Sequence, residues 1–209
     1  MSPGSAHTTV AGPAGTIECL VDAPAAPARG LAVLCHPHPL HGGTMTNKVV
    51  HTLARAFVQL GYTSVRFNFR GIGASQGAWG EGRGEVDDAL AVVAAHRTVG
   101  QELVLGGFSF GGYVASQVAA RLAGAGQRAE RVVLVAPAVQ TFPVAEVPFD
   151  SLIIHGETDD VVPLAALFDW ARPQGLPVTV LPGAGHFFHG SVTVLKRIVI
   201  GAWAARATS

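Results

Sequence analysis

Apolar positions along this chain follow two alternating periods. Residues 31–35 (LAVLC) and 131–136 (RVVLVA) are almost continuously apolar, the pattern of strands covered on both faces. Elsewhere apolar residues recur every three or four positions. Val49, Leu53, Phe57 and Leu60 make one such stripe, and Phe110, Val114, Val118 and Leu122 another, which is the signature of a helix laid on a core. In chain order, strands are predicted at 16–21, 31–35, 63–67, 102–105, 131–136, 151–155 and 177–181. Helices are predicted at 45–60, 85–96, 110–122, 163–171 and 191–204. Gly61 stops the first helix, and Pro163 opens the fourth. Acids at the start of the second face the positive end of its dipole. The Gly/Pro/Ala-rich residues 1–15 are expected to be a mobile leader. Residues 24–30 form a turn, and residues 71–84, with six glycines, a loop. Strands alternating with helices imply an α/β fold with a mostly parallel sheet covered on both faces. No internal repeat appears.

Length and composition narrow the possibilities. At 209 residues the chain has room for one domain and hardly for a second. Hydrophobic residues are 49 % of it, enough for a sizeable core, and charged residues only 13 %. Lys+Arg and Asp+Glu number 14 each, so the formal net charge is zero. A nucleic-acid binder would show a basic excess or stripe, and a peripheral membrane anchor a polybasic cluster. No apolar run reaches membrane-spanning length, and the first 15 residues lack the layout of a signal peptide. Cys19 and Cys35 do not make a disulfide framework. They are expected to be reduced core residues of a cytoplasmic protein that is a monomer or a small homo-oligomer.

The candidate chemistry lies in three turns, each just after a predicted strand. Gly107-Phe108-Ser109-Phe110-Gly111 fits G-x-S-x-G, with a strand before it and a helical stripe after it, as a nucleophile elbow requires. Such a turn lifts the Ser109 hydroxyl above the sheet and aims a helix N-terminus at a developing oxyanion. A plain glycine-rich strand–helix turn is the bland alternative. No G-K-[ST] follows, which excludes a P-loop. The second turn, residues 155–163 (HGETDDVVP), offers Asp159 to orient a base. Helix capping before Pro163 competes, above all for Asp160. The third, residues 182–189 (PGAGHFFH), offers His186 as the base, with His189 as the alternative. The order Ser109, Asp159, His186 is that of the α/β-hydrolases, not of trypsin-like or subtilisin-like enzymes.

The chain resembles α/β-hydrolase-fold serine hydrolases. More narrowly, it is similar to the small lidless bacterial esterase-like proteins grouped with dienelactone hydrolases. The resemblance rests on the HPHPLHGGTM string at residues 36–45, RFNFRGIGAS at 66–75, the GFSFGG elbow and the late GHFF, and it covers residues 31–189. It departs from dienelactone hydrolases themselves at the nucleophile, which is cysteine there and Ser109 here. The resemblance implies an α/β-hydrolase domain over 16–209 without a cap, because the 14 residues 137–150 cannot build one. It also implies an oxyanion hole of backbone amides from the HPHP loop and from the residue after the nucleophile. Phe110 supplies one. Pro37 and Pro39 have no N–H, so the other comes from His38 or Leu40, and the related hydrolases favour His38.

Several groups near these turns have rival readings. His36, His38 and His41 could form a zinc site, but no carboxylate or cysteine sits at ligand spacing, so no metal is expected and His36 is read as a structural hydrogen-bonder. Arg70, Glu81, Glu85, Asp87 and Asp88 read as helix capping plus an Arg70 salt bridge rather than as an acid–base pair. Phe57, Phe67, Phe69 and Trp203 read as core, and one of Phe187 and Phe188 as a wall of the acyl pocket. The expected activity is hydrolysis of small, short-chain carboxylic esters by Ser109, His186 and Asp159, with no cofactor, no nucleic acid and no membrane. A thioesterase or peptidase using the same residues, and a non-enzymatic binding module on the same fold, are the alternatives.

Overall fold

The computed structural model describes residues 5–204. Eight strands form one sheet in the order β1-β2-β4-β3-β5-β6-β7-β8. They are β1 (Ser5–Gly12), β2 (Gly15–Asp22), β3 (Gly30–Cys35), β4 (Tyr62–Phe67), β5 (Glu102–Phe108), β6 (Arg131–Val135), β7 (Leu152–Gly156) and β8 (Val178–Leu181). The β1–β2 and β2–β4 pairings are antiparallel and all the others parallel. The helices are α1 (Lys48–Gln59), α2 (Arg83–His96), α3 (Phe110–Gly124), α4 (Leu164–Ala171) and α5 (Val192–Ala204).

Strand side chains alternate strictly between two cores. Leu31, Val33 and Cys35 of β3 join Leu103, Leu105, Val132 and Leu134 beneath residues of α2, α3 and α4. Ala32 and Leu34 join Val104, Phe108, Val133 and Val135 against α1 and α5. The continuous apolar runs in the sequence therefore reflect burial on both faces, as period-2 geometry requires. The expected core aromatics Phe57, Phe67 and Phe69 are fully buried and Trp203 nearly so.

The sequence reading of residues 1–15 as a mobile leader needs correction. Residues 1–4 lie outside the described residues, but Ser5–Gly12 is a strand paired along its whole length with β2, from Ser5 opposite Asp22 to Gly12 opposite Gly15. The Gly/Pro/Ala cluster at 12–15 is the tight turn of this hairpin. Gly15, at φ +116°, packs against the Gln76 side chain where a methyl group would overlap. Two helix starts also shift. Helix α1 begins at Lys48 because the Asn47 carboxamide accepts from the N–H groups of Val49 (2.9 Å) and Val50 (3.4 Å), an N-cap. Helix α2 begins at Arg83, and the Glu85 carboxylate reaches back to the Gly80 and Gly82 N–H groups at 2.8 Å each.

Candidate active site

The turn between β5 and α3 is strained at the carboxyl edge of the sheet. Ser109 adopts φ +55°, ψ −118°, a conformation that L-residues avoid and that clusters at functional sites. The flanking glycines have a steric cause: a methyl group on Gly107 would overlap the Gly111 carbonyl, and one on Gly111 would overlap the Cys35 carbonyl. The backbone of Ser109 is pinned on both sides. Its N–H donates to Val135 O at 2.9 Å, and its carbonyl accepts from Gly112 at 2.9 Å and Ala138 at 3.2 Å. Phe110 opens α3, so its N–H has no acceptor within the helix.

The loop after β3 is organised by a buried imidazole. Phe69 N–H donates to His36 Nε2 at 3.1 Å, so the proton of the neutral ring sits on Nδ1 and is given to Pro37 O at 2.7 Å. A peptide's C=O and N–H point in opposite directions. By holding Pro37 O, His36 therefore sets the direction of the His38 N–H. Gly43 closes the clamp from the other side, leaving no room for a methyl group against that same carbonyl. Burial pulls the His36 pKa down to about 4 against a smaller opposing effect of the Pro37 bond. The two candidate loop amides are not equivalent. Leu40 N–H already donates to His38 Nδ1 at 3.2 Å, so Leu40 is engaged within the loop and His38 is left as the candidate. With both nitrogens of His36 and one of His38 engaged, the three-histidine zinc arrangement does not assemble. No metal-holding group of three or more His, Cys, Asp or Glu is found among the described residues.

Asp159 does not cap α4, whose N-cap is Pro163 without a side-chain bond, but it uses its two carboxylate oxygens for different partners. Its Oδ1 accepts from the N–H groups of Val161 (3.0 Å) and Val162 (2.7 Å), closing the turn after β7. Its Oδ2 accepts from His186 Nδ1 at 2.8 Å. Burial alone would raise its pKa. The hydrogen bonds from His186 and Val162, with the nearby imidazoles, outweigh that and hold it below the ordinary carboxylate value. Asp160 is exposed. His186 follows β8 and packs on the ring of Phe108, centroids 5.0 Å apart, one residue before Ser109. His189 is exposed and stacks on Phe187, ring centroids 5.8 Å apart. Phe188 is core, whereas Phe187 is half exposed beside His186.

One residue of this site received no role from the sequence. His155, at the end of β7, is fully buried. Its Nε2–H donates to Val162 O at 2.8 Å and lies 3.5 Å from Asp159 Oδ2, the same oxygen that accepts from His186. Burial lowers its pKa. The signal was present as a histidine four residues before Asp159 on a buried strand. The charged residues around the glycine loop pair with one another or with α3. Arg70 makes a two-pronged bond to Asp88 (2.9 and 2.7 Å), Asp87 pairs with Arg121, and Glu81 with Arg83. Cys19 and Cys35 are free and buried, and burial pushes the Cys19 thiol up to about 12 and raises Cys35 as well. No helix among the described residues is long and apolar enough to cross a membrane.

A mostly parallel sheet covered on both faces, carrying a strained serine between its central strand and a helix, defines the α/β serine hydrolase fold. The chain belongs to the Hydrolase_4 family, described as serine aminopeptidase, S33, whose model matches residues 38–149. It is 38 % identical to an α/β serine hydrolase homologue from Coxiella burnetii, with a TM-score of 0.86 over 94 % of this chain and 96 % of that one. It is 36 % identical to XC6422 from Xanthomonas campestris, an α/β serine hydrolase without a lid, with a TM-score of 0.86 over 97 % and 94 % of the two chains. An uncharacterized protein of Rickettsia prowazekii (strain Madrid E), RP471, is 32 % identical over 193 residues, 85 % of this chain and 79 % of that one.

Proposed function

We propose that this hydrolase cleaves small carboxylic esters through an acyl-enzyme. Ser109 Oγ attacks the ester carbonyl and passes its proton to His186 Nε2. His186 returns that proton to the departing alcohol, and a water molecule activated by the same imidazole frees the acid. Asp159 keeps His186 in the tautomer with Nε2 unprotonated and stabilises the imidazolium. The amides of Phe110 and His38 hold the tetrahedral oxyanion. Nucleophile, base and oxyanion donors all come from the chain, so the reaction calls for no cofactor. The observation that carries this reading is the Asp159–His186 hydrogen bond at the sheet edge where Ser109 stands on its strained turn. The resemblance of the HPHP loop at residues 36–39 to that of lidless esterase-like proteins also favours it.

A second reading, peptide hydrolysis by the same residues, is favoured by the family's description as serine aminopeptidases. Matched ester, thioester and amide substrates separate the two. The direct test is Ser109→Ala. It should stay folded, lose labelling by a fluorophosphonate, and lose about 10³-fold or more in kcat on short-chain esters, because such residues act as a unit. Near-normal turnover by the pure variant would remove the mechanism.

A further inference from the structure

The loops that follow β3, β4, β6, β7 and β8 at the carboxyl edge each bring one large apolar side chain to the rim. Leu40, Val161 and Phe187 are 63 %, 53 % and 50 % exposed, and Trp79 and Phe142 are half-buried. The rings divide into two groups. On one side of Ser109, Phe187 packs with His186 and Phe108. On the other, Trp79 and Phe142 converge on His38 and Phe110. Trp79 lies 4.7 Å from His38 and 5.4 Å from Phe110, and Phe142 lies 5.7 Å and 4.9 Å from the same two rings.

We infer that the Trp79–Phe142 side is an acyl-binding wall that selects planar aromatic acyl groups over saturated ones of equal size. This rests on the ester-hydrolase reading above. That reading fixes the sides: the leaving alcohol must be protonated by His186 and so departs past Phe187. The acyl substituent runs the other way, past the two residues whose amides hold the carbonyl oxygen. There the wall is made of rings. A site without a lid cannot surround a flexible chain, so a long aliphatic acyl group gains little for the rotamer freedom it loses. A rigid planar group can lay one face or edge against Trp79 and Phe142 while its other face stays in water. Offset and edge-to-face ring pairs at centroid separations of about 4.5–7 Å are favourable beyond the area they bury.

The test uses the methyl esters of 3-phenylpropanoic, 3-cyclohexylpropanoic and hexanoic acids, with acid release followed by titration. The wild-type protein should hydrolyse the phenyl ester with kcat/KM about three- to tenfold above the cyclohexyl ester. Trp79→Leu and Phe142→Leu keep apolar bulk and remove a ring, and in each that ratio should fall toward one. A ratio near one in the wild type, or a ratio unmoved by both substitutions, overturns the inference. Binding to Ser109→Ala, measured by ligand-observed NMR, separates this inference from the reading beneath it. If Ser109→Ala prefers the phenyl ester while the wild type hydrolyses none, the aromatic wall stands and the hydrolase reading falls. Turnover without ring preference leaves the hydrolase reading standing and removes the wall.

Discussion

At the scale of single residues, the buried imidazoles have separate tasks. His186 faces the serine turn, His155 supports Asp159, and His36 orients the Pro37–His38 peptide. His36 also links the site to stability. Its folded pKa of about 4 lies below the unfolded value of about 6.5, so between these values the unfolded chain binds the extra proton. By linkage, stability rises with pH in that window, and the contribution is lost as pH falls from about 6.5 through about 4. The full difference is on the order of 3 kcal/mol, and His155, shifted the same way, adds to it. Urea unfolding at pH 7, 5.5 and 4.5 should give a falling midpoint in the wild type. The slope should be shallower in His36→Gln, which keeps an acceptor near Phe69 N–H but no titrating group. An equal slope in both would remove His36 as the cause. Sequence pattern identified His36 as a hydrogen-bonder and singled out Asp159, because both follow strands. It could not tell that the Asp159 carboxylate closes its own turn and accepts from His186 at once, because the two carboxylate oxygens are separated only in three dimensions. His155 stayed hidden because an apolar strand gives no sign of which side chain faces the next loop.

At the scale of elements, legibility follows burial. Strands β3 and β6, covered on both faces, are written as apolar runs and were readable almost to the residue. The edge strand β1 alternates weakly between half-buried and exposed positions, so its hydrophobic signal is faint and its turn residues dominate the reading. The elbow is the reverse case, because its glycines are dictated by contacts that only glycine permits. That difference is measurable. Gly111→Ala would place a methyl group on the Cys35 carbonyl and should yield protein that is inactive or does not fold. Gly201, exposed inside α5 with open space where a methyl group would go, should accept alanine and gain about 0.5–1 kcal/mol. Thermal melts and ester turnover of the two variants check both halves. A Gly111→Ala variant with native melting and full activity would refute the steric account of the motif.

At the scale of the whole molecule, the two segments that could cover Ser109 are fastened down. Residues 137–150 form no helix or strand and are tied to α3 and α4. Gln117 Nε2 donates to Pro143 O at 2.7 Å, Ala145 N–H to Ser116 Oγ at 3.0 Å, and Trp170 Nε1 to Val144 O at 3.1 Å. The glycine loop 71–84 is held by Glu85 at Gly80 and Gly82, and by Gln76 N–H on Thr16 O at 2.8 Å. Neither segment is a hinged flap whose opening could gate the reaction. Rate should therefore follow the concentration of dissolved substrate, with no jump where esters begin to form micelles. Each methylene of an aliphatic acyl chain contributes about 0.8 kcal/mol only while apolar wall remains to bury it, and an open mouth supplies little wall. Among straight-chain esters, kcat/KM should peak at roughly C2 to C6 on that reasoning and fall beyond. Bulky alcohols should be tolerated, because nothing closes over the leaving-group side. A preference for C12–C16 esters, or a sharp rise above the critical micelle concentration, would mean that one of these fastened segments opens after all, and the hydrogen bonds named here would be the first to break.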